Sequence, residues 1–322
     1  MLKDRQMRHE ILWLIALSMP FWILGEWIYI YKNVARRRTH LGTTIFEHAA
    51  RHLLLLSTMA IVLTVWPWPR VGHDAATAIR AAFVLTLIRL GAFVAGAWRR
   101  RLSCPSRSLT VRSVSSAVMA LLLVSLVVYG HAPCPAAGSI AMNFPLEQTW
   151  YVFQGGPTVV TNLHHLVRTQ RYAVDLVRVG SDGLSYRGSP KTLTSFYAWS
   201  RPVYAPVAGT VVSAARDYPD SPPGQRDKRD IRGNHVVIET ADGTEVLLAH
   251  LQQGSVVVEG GTRLRQGQFL GRVGNSGNTS EPHLHLGAVR KQGNDRVGIP
   301  FVISDATGHS GCLRKPATPG MT

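Results

Sequence analysis

Residues 235–251, HVVIETADGTEVLLAHL, contain the pattern that decides the fold of the C-terminal part of the chain. Two short runs rich in β-branched and aliphatic residues, HVVIET and EVLLAHL, are separated by Ala241-Asp242-Gly243. Runs of this length and composition on either side of turn-forming residues are typical of neighbouring β-strands. We therefore predict two strands here, with His250 at the end of the second.

Similar runs recur from residue 145 onward, separated by turns rich in glycine. They are TWYVF (149–153), YAVDLV (172–177), GTVVSAA (209–215), GSVVV (254–258), FLGRVG (269–274) and HLHLGAV (283–289). Short strands at this spacing predict an all-β antiparallel domain, a sandwich or barrel-like fold. We expect this domain to occupy residues 132–322, with its core over 148–302, and residues 216–234 to form a long exposed loop.

The net charge of +16 is divided unevenly along the chain. Residues 1–130 contain 16 Lys/Arg and 5 Asp/Glu, a net of +11, and the remainder contains 19 and 14, a net of +5. Most of the basic excess therefore lies among long apolar runs, which favours membrane topology over nucleic acid as its explanation. In the 216–234 loop, interleaved aspartates offset most of the positive charge. No nucleic-acid partner is predicted.

Four apolar segments, 11–31, 52–68, 80–98 and 114–130, approach the roughly 20 residues that cross a bilayer. We expect residues 1–131 to form an α-helical membrane region of about four transmembrane helices, with the lipid bilayer as a partner. The Lys/Arg-rich loops after the first and third segments belong in the cytoplasm. The prediction is a multi-pass protein of the bacterial inner (cytoplasmic) membrane, with the β domain on the extracytoplasmic, periplasmic side.

That topology also bears on the three cysteines. Cys134 and Cys312 would lie on the oxidising side, where they either pair as a disulfide or remain free. Cys104 would lie in a cytoplasmic loop and stay reduced.

His283 and His285 stand one residue apart in the predicted strand HLHLGAV. Side chains at positions i and i+2 of a strand point to the same face, so the two imidazoles should project together. Zinc favours imidazole and carboxylate ligands, and a catalytic zinc needs three from the protein. The pair alone is equally compatible with two polar residues on a solvated strand face.

Further polar residues occur in segments otherwise suited to a core. Asp175 lies within YAVDLV and His250 ends VLLAHL, while His164 and His165 precede Asp175 in TNLHHL. A carboxylate in such an apolar strand costs free energy unless it is paired or bound to a metal. We therefore predict that these residues and the HLH pair converge on one site.

The same residues carry a family resemblance. The matching stretches are NLHHLVRTQRYAVDL, RPVYAPVAGTVV, GNHVVIE, LLAHLQQGSVVV and GQFLGRVGNSGNTSEPHLHL. In this order they resemble the lysostaphin/LytM-type zinc peptidases, metallopeptidase family twenty-three, which cleave peptide bonds in bacterial peptidoglycan. The resemblance covers about residues 148–302 and none of the apolar segments.

The resemblance implies roles for individual residues. Asp175 and His285 would bind one Zn²⁺ per chain together with an upstream histidine, and His250 and His283 would be catalytic. The common family pattern has histidine four residues before the aspartate, where this chain has Arg171. A subgroup with Asn-x-His further upstream favours His164 as the ligand, with His165 as the alternative. If extended, the two would face opposite ways, so only one would reach the metal.

The function implied is a zinc-dependent endopeptidase that hydrolyses cross-links or stem peptides of peptidoglycan with a metal-activated water. The chain has no helical His-Glu-x-x-His motif, so we expect histidine or another carboxylate to act as the general base. The alternative is a membrane-anchored, non-catalytic protein that binds peptidoglycan or activates a hydrolase. The sequence names no regulatory protein partner.

Overall fold

The computed structural model of the chain describes residues 41–65, 68–70, 72–99, 111–130, 132–133, 135, 137–304 and 310–311. The described residues form two compact units. One unit contains most of the α-helical residues, and the other contains the strands together with the short 3-10 helix Trp68–Arg70. The predicted segment 11–31 and all three cysteines lie outside the described residues.

Three α-helices lie largely in the described part of the first unit. They are α1 (Leu41–Val65), α2 (Gly72–Arg99) and α3 (Val111–Gly130). Within the described ranges, no helix combines the length and the apolar character that a bilayer crossing requires. The predicted fold class, with about four transmembrane helices, is therefore wrong.

The physical reason is that polar residues shorten the apolar runs. The apolar part of α1 begins only after Arg51 and His52, and α2 is interrupted by Arg80 and Arg89. In α3, Ser113, Ser115 and Ser116 precede the apolar run. A crossing needs roughly 20 consecutive residues that are mostly apolar.

The predicted localisation is contradicted by the same finding. A multi-pass inner-membrane protein with a periplasmic β domain required the four spans and the Lys/Arg-rich loops between them. The lipid bilayer, predicted as a partner, has no support from the described helices.

The second unit is mostly β. Its strands are β1 (Ile140–Asn143), β2 (Tyr151–Gln154), β3 (Val174–Val177), β4 (Pro202–Tyr204), β5 (Gly209–Ala215), β6 (Asn234–Glu239), β7 (Glu245–Leu251), β8 (Arg263–Leu264), β9 (Phe269–Arg272), β10 (Leu284–Gln292), β11 (Asp295–Gly298), β12 (Phe301–Ser304) and β13 (Ser310–Gly311). An eight-stranded sheet has the order β2-β3-β10-β7-β6-β5-β8, with β11 added to β10. Every pairing in this sheet is antiparallel.

Two smaller sheets complete the β domain. The strands β4 and β9 form an antiparallel pair, and β12 lies between β1 and β13. The pairing of β1 with β12 is parallel, which the prediction of an antiparallel domain did not include. The stretch 254–258, predicted as a strand, is not one: its Val257 N–H donates to the carbonyl of Leu270, but no ladder forms.

The hairpin of β6 and β7 lies at the centre of the main sheet. Its turn is fixed by Asp242, whose carboxylate accepts from the N–H and the hydroxyl of Thr244. Val236, Ile238, Val246 and Leu248 are fully buried on one face of the hairpin. Alternation of buried aliphatic residues along both strands places the domain core against this face.

Candidate metal centre

Three neighbouring strands bring the predicted site residues together. In the antiparallel register, His285 of β10 lies opposite Asp175 of β3 on one side and Ala249 of β7 on the other. His250 follows Ala249 directly, and His283 directly precedes β10. The sheet therefore joins side chains that are separated by up to 110 residues in the sequence.

Asp175 is the centre of this cluster. Its Oδ2 lies 2.9 Å from Nε2 of His164, and its Oδ1 lies 2.8 Å from Nδ1 of His285. One potential ligand atom from each of the three residues lies within 4.8 Å of the others. Asp175 and His285 are buried, and His164 is half-buried. The three side chains thus form a compact group of two imidazoles and one carboxylate.

A short 3-10 helix, Leu163–Leu166, holds His164 in this position. The Asn162 side chain caps that helix by accepting from the His164 backbone N–H at 3.1 Å. The amide nitrogen of Asn162 donates to the carbonyls of Gly156 and Ala173, at 3.0 and 2.9 Å. The fully buried Asn162 therefore ties the helix to the approach of β3.

His165 occupies a different environment. Its Nδ1 donates to the carbonyl of Arg171 at 3.2 Å, and its ring makes an edge contact with Tyr172. His164 and His165 lie in a 3-10 helix and not in an extended segment, so the predicted reason for their facing opposite ways does not apply. They are separated all the same, and His164 is the one that lies against Asp175.

His250 lies beside the three-residue group with its backbone in the left-handed region, at φ 64°. Such a conformation in a residue other than glycine costs about 1–3 kcal/mol and is concentrated at functional sites. The Nδ1 of His250 lies 2.9 Å from the carbonyl of Ser276. A carbonyl only accepts, so Nδ1 carries the proton and Nε2 of the neutral ring has a lone pair.

His283 is oriented in the same way. Its Nδ1 donates to the carbonyl of Glu281 at 2.8 Å, and its Nε2 lies 3.5 Å from Oδ1 of Asp175. The rings of His250 and His283 are 4.8 Å apart between centroids. Both imidazoles therefore present Nε2 with Nδ1 fixed by a backbone carbonyl.

Burial and mutual charge shift the pKa values of these residues in different directions. Burial alone would raise the pKa of Asp175, but His164 and His283 outweigh it and hold that pKa well below its usual range. Burial lowers the pKa of His250 well below its usual range and also lowers the pKa of His285. For His283 the carboxylate of Asp175 outweighs burial, and the pKa is raised.

The cluster fits a zinc ion by its donor set and by its spacing. Zn²⁺ binds imidazole nitrogen and carboxylate oxygen at about 2.0–2.2 Å, so ligand atoms around a tetrahedral ion lie roughly 3.3 Å apart. The Nε2 of His285 is buried and has no protein partner among the described residues. Protein hydrogen bonds alone therefore leave this one nitrogen unsatisfied, and such a buried atom calls for a further partner such as a water or an ion.

Several supporting residues were not predicted from the sequence. Ser276 and Glu281 contribute backbone carbonyls, which leave no signal in residue type. Gly233 does leave a signal in residue type, because its φ is 57° and an added Cβ would lie 2.4 Å from the carbonyl carbon of Ser276. Only glycine permits this approach, which brings the loop 216–234 against the segment that holds His250.

Comparisons with known proteins bear on the domain that contains this cluster. The sequence profile described as Peptidase family M23 matches residues 191–297. That range contains His250, His283 and His285, whereas His164 and Asp175 lie upstream of it. No curated protein matches the chain.

Several solved structures are similar to parts of the chain. A structure of the SpoIIQ–SpoIIIAH pore-forming complex is 25% identical, covering 39% of this chain and 59% of that one, with a TM-score of 0.26. A zinc-containing peptidase from Vibrio cholerae is 20% identical, covering 50% and 39%, with a TM-score of 0.30. The catalytic domain of lysostaphin from Staphylococcus simulans is 17% identical, covering 49% and 86%, with a TM-score of 0.26. The chain thus spans less than two thirds of the length of the first two.

Proposed function

We propose that the chain, whose residues 191–297 match the profile of Peptidase family M23, is a zinc-dependent endopeptidase acting on peptide bonds of bacterial peptidoglycan. The observation that carries the proposal is the group His164, Asp175 and His285, whose ligand atoms lie within 4.8 Å of one another. His250 and His283 flank this group with their Nδ1 atoms already bonded to carbonyls.

His164, Asp175 and His285 would hold the zinc ion. A zinc ion bound by three protein ligands supplies Lewis-acid catalysis, which polarises the scissile carbonyl and makes water a stronger nucleophile at neutral pH. Burial raises the pKa of Asp175, but His164 and His283 outweigh it and keep the carboxylate ionised, the form that binds a cation. In each imidazole, the nitrogen that would face the zinc ion must carry no proton, because a metal ligand donates a lone pair.

His250 and His283 would move protons during hydrolysis. Burial lowers the pKa of His250, so its Nε2 is an unprotonated acceptor at neutral pH, suited to taking a proton from water. His283, whose Nδ1 donates to a carbonyl and whose Nε2 lies 3.5 Å from Oδ1 of Asp175, would stabilise an oxyanion or pass a proton to the leaving amine. The two residues thus divide the base and acid roles that peptide hydrolysis needs.

The test is digestion of purified peptidoglycan by the full chain, followed by mass spectrometry of the released muropeptides. The expected result is a set of products with one new amine and one new carboxyl group per cleavage, which disappear when a chelator is added. Intact sugar chains and the masses of the peptide fragments would identify the bond. Bound zinc at one per chain with undigested peptidoglycan would contradict the proposal and favour a non-catalytic binding protein.

A further inference from the structure

Glu281 links the catalytic-site segment to a distant part of the chain. Its side chain is buried, with 7% exposed, yet it ends in a carboxylate. Oε1 accepts from Nε of Arg70 at 2.9 Å, and Oε2 accepts from the hydroxyl of Ser185 at 3.0 Å. A buried carboxylate is tolerated when its oxygens are bonded in this way.

Arg70 makes several contacts around this carboxylate. Its NH2 group donates to Oγ of Ser280 at 3.0 Å, and its guanidinium lies 5.3 Å from the ring centroid of Phe153. The preceding carbonyl, of Pro69, accepts from the backbone N–H of Ser185 at 2.6 Å. The 3-10 helix Trp68–Arg70 therefore belongs with the β domain, although it lies between α1 and α2 in the sequence.

The backbone of Glu281 bonds to the proposed catalytic histidine. Its carbonyl accepts from Nδ1 of His283 at 2.8 Å and from the hydroxyl of Thr279 at 2.8 Å. The position of this carbonyl decides which nitrogen of His283 carries the proton and which way Nε2 points. The side chain of Glu281 is held by Arg70, so the guanidinium fixes one end of the residue whose other end orients His283.

We propose that Arg70 is a positioning residue, which acts through Glu281 to hold His283 in its working tautomer and orientation. The inference rests on the proposed function for its effect on turnover. It also makes catalysis depend on a residue well outside residues 191–297 and 211 residues away from Glu281.

The test compares four single variants of the full chain and the double variant Arg70→Ala/Glu281→Gln, all at equal zinc loading. Arg70→Ala and Glu281→Gln each remove the ion pair, and Arg70→Lys keeps a cation. Arg290→Ala is the matched control, because its side chain is 33% exposed against 31% for Arg70 and it also bonds to a carboxylate, that of Asp242, at 2.7 Å. Steady-state kinetics are combined with ¹⁵N-histidine spectra, which report the tautomer of His283.

Arg70→Ala and Glu281→Gln should each lower kcat about 10- to 100-fold, the usual effect of removing a residue that orients a side chain of a metal site. KM and zinc content should stay unchanged. The Nδ1–H tautomer of His283 should lose population in both. Arg70→Lys should recover part of kcat, and the double variant should be no worse than either single variant, because both act on one contact. Arg290→Ala should match the wild type.

A wild-type kcat and an unchanged His283 tautomer in Arg70→Ala and Glu281→Gln would overturn the proposal. The proposal would also be overturned if kcat fell only in proportion to the fraction of folded protein, as measured by thermal unfolding. A wild-type chain that cleaves no peptidoglycan would instead refute the proposed function, and the tautomer comparison would still decide whether Arg70 positions His283.

Discussion

Asp175 is the residue on which the candidate centre depends, because both of its oxygens face an imidazole. Its position in an apolar strand indicated a special role from the sequence alone. The choice between His164 and His165 was less determined, because each is a histidine at similar distance from Asp175 in the chain. The contact of His164 with Asp175 depends on a helical turn capped by Asn162, which the residue pattern did not predict.

The first prediction separates these two histidines. His164→Ala should reduce bound zinc from one per chain to background, because it removes one of three ligands. His165→Ala is the matched control and should keep the zinc, since its ring contacts Tyr172 and the Arg171 carbonyl. Metal content is measured by mass spectrometry of dialysed protein. Zinc retained in His164→Ala and lost in His165→Ala would reverse the assignment.

The second prediction concerns His283. His283→Ala should retain zinc, because its Nε2 lies 3.5 Å from Asp175 and outside the proposed ligand set. Its kcat should fall about 10²–10⁴-fold, the range for loss of a positioned acid or base. Parallel kinetics and metal analysis on the same sample check both statements. A variant that turns over normally would remove His283 from the catalytic roles.

At the scale of elements, the strands of the main sheet with long aliphatic runs were the easiest to predict. The runs GTVVSAA and EVLLAHL coincide with β5 and β7, because each combines β-branched or aliphatic residues with a flanking glycine turn. The run GSVVV has the same composition and alternates buried Val256, exposed Val257 and buried Val258. It lacks a paired neighbour, and pairing is a tertiary property that composition does not determine.

The third prediction uses this contrast. Val236→Ala, in the fully buried centre of β6, should lower the free energy of unfolding by about 2 kcal/mol through lost burial and a residual cavity. Val257→Ala makes the same change at a side chain that is 61% exposed, and should stay within about 0.5 kcal/mol of the wild type. Urea unfolding at fixed zinc concentration, followed by near-ultraviolet circular dichroism, measures both. Equal effects in the two variants would contradict the placement of the core.

For the whole molecule, sequence reasoning identified the mostly β domain and the residues that meet in it, but was wrong about the helices. Segments 52–68, 80–98 and 114–130 were counted as spans because their average composition is apolar. Charged and polar residues such as Arg51 and Arg89 leave shorter apolar runs than a crossing needs. The contact of Arg70 with Glu281 joins residues 211 positions apart, a distance over which local patterns carry no information.

The fourth prediction, and the most direct test of the proposed function, is zinc titration of the metal-free full chain while peptidoglycan cleavage is followed. The rate should rise in proportion to added zinc and reach a plateau at one ion per chain, because one group of three ligands is available among the described residues. His285→Ala should show neither saturable binding nor cleavage. A wild-type chain that binds one zinc per molecule and releases no peptide, or that cleaves equally well without the metal, would contradict the assignment.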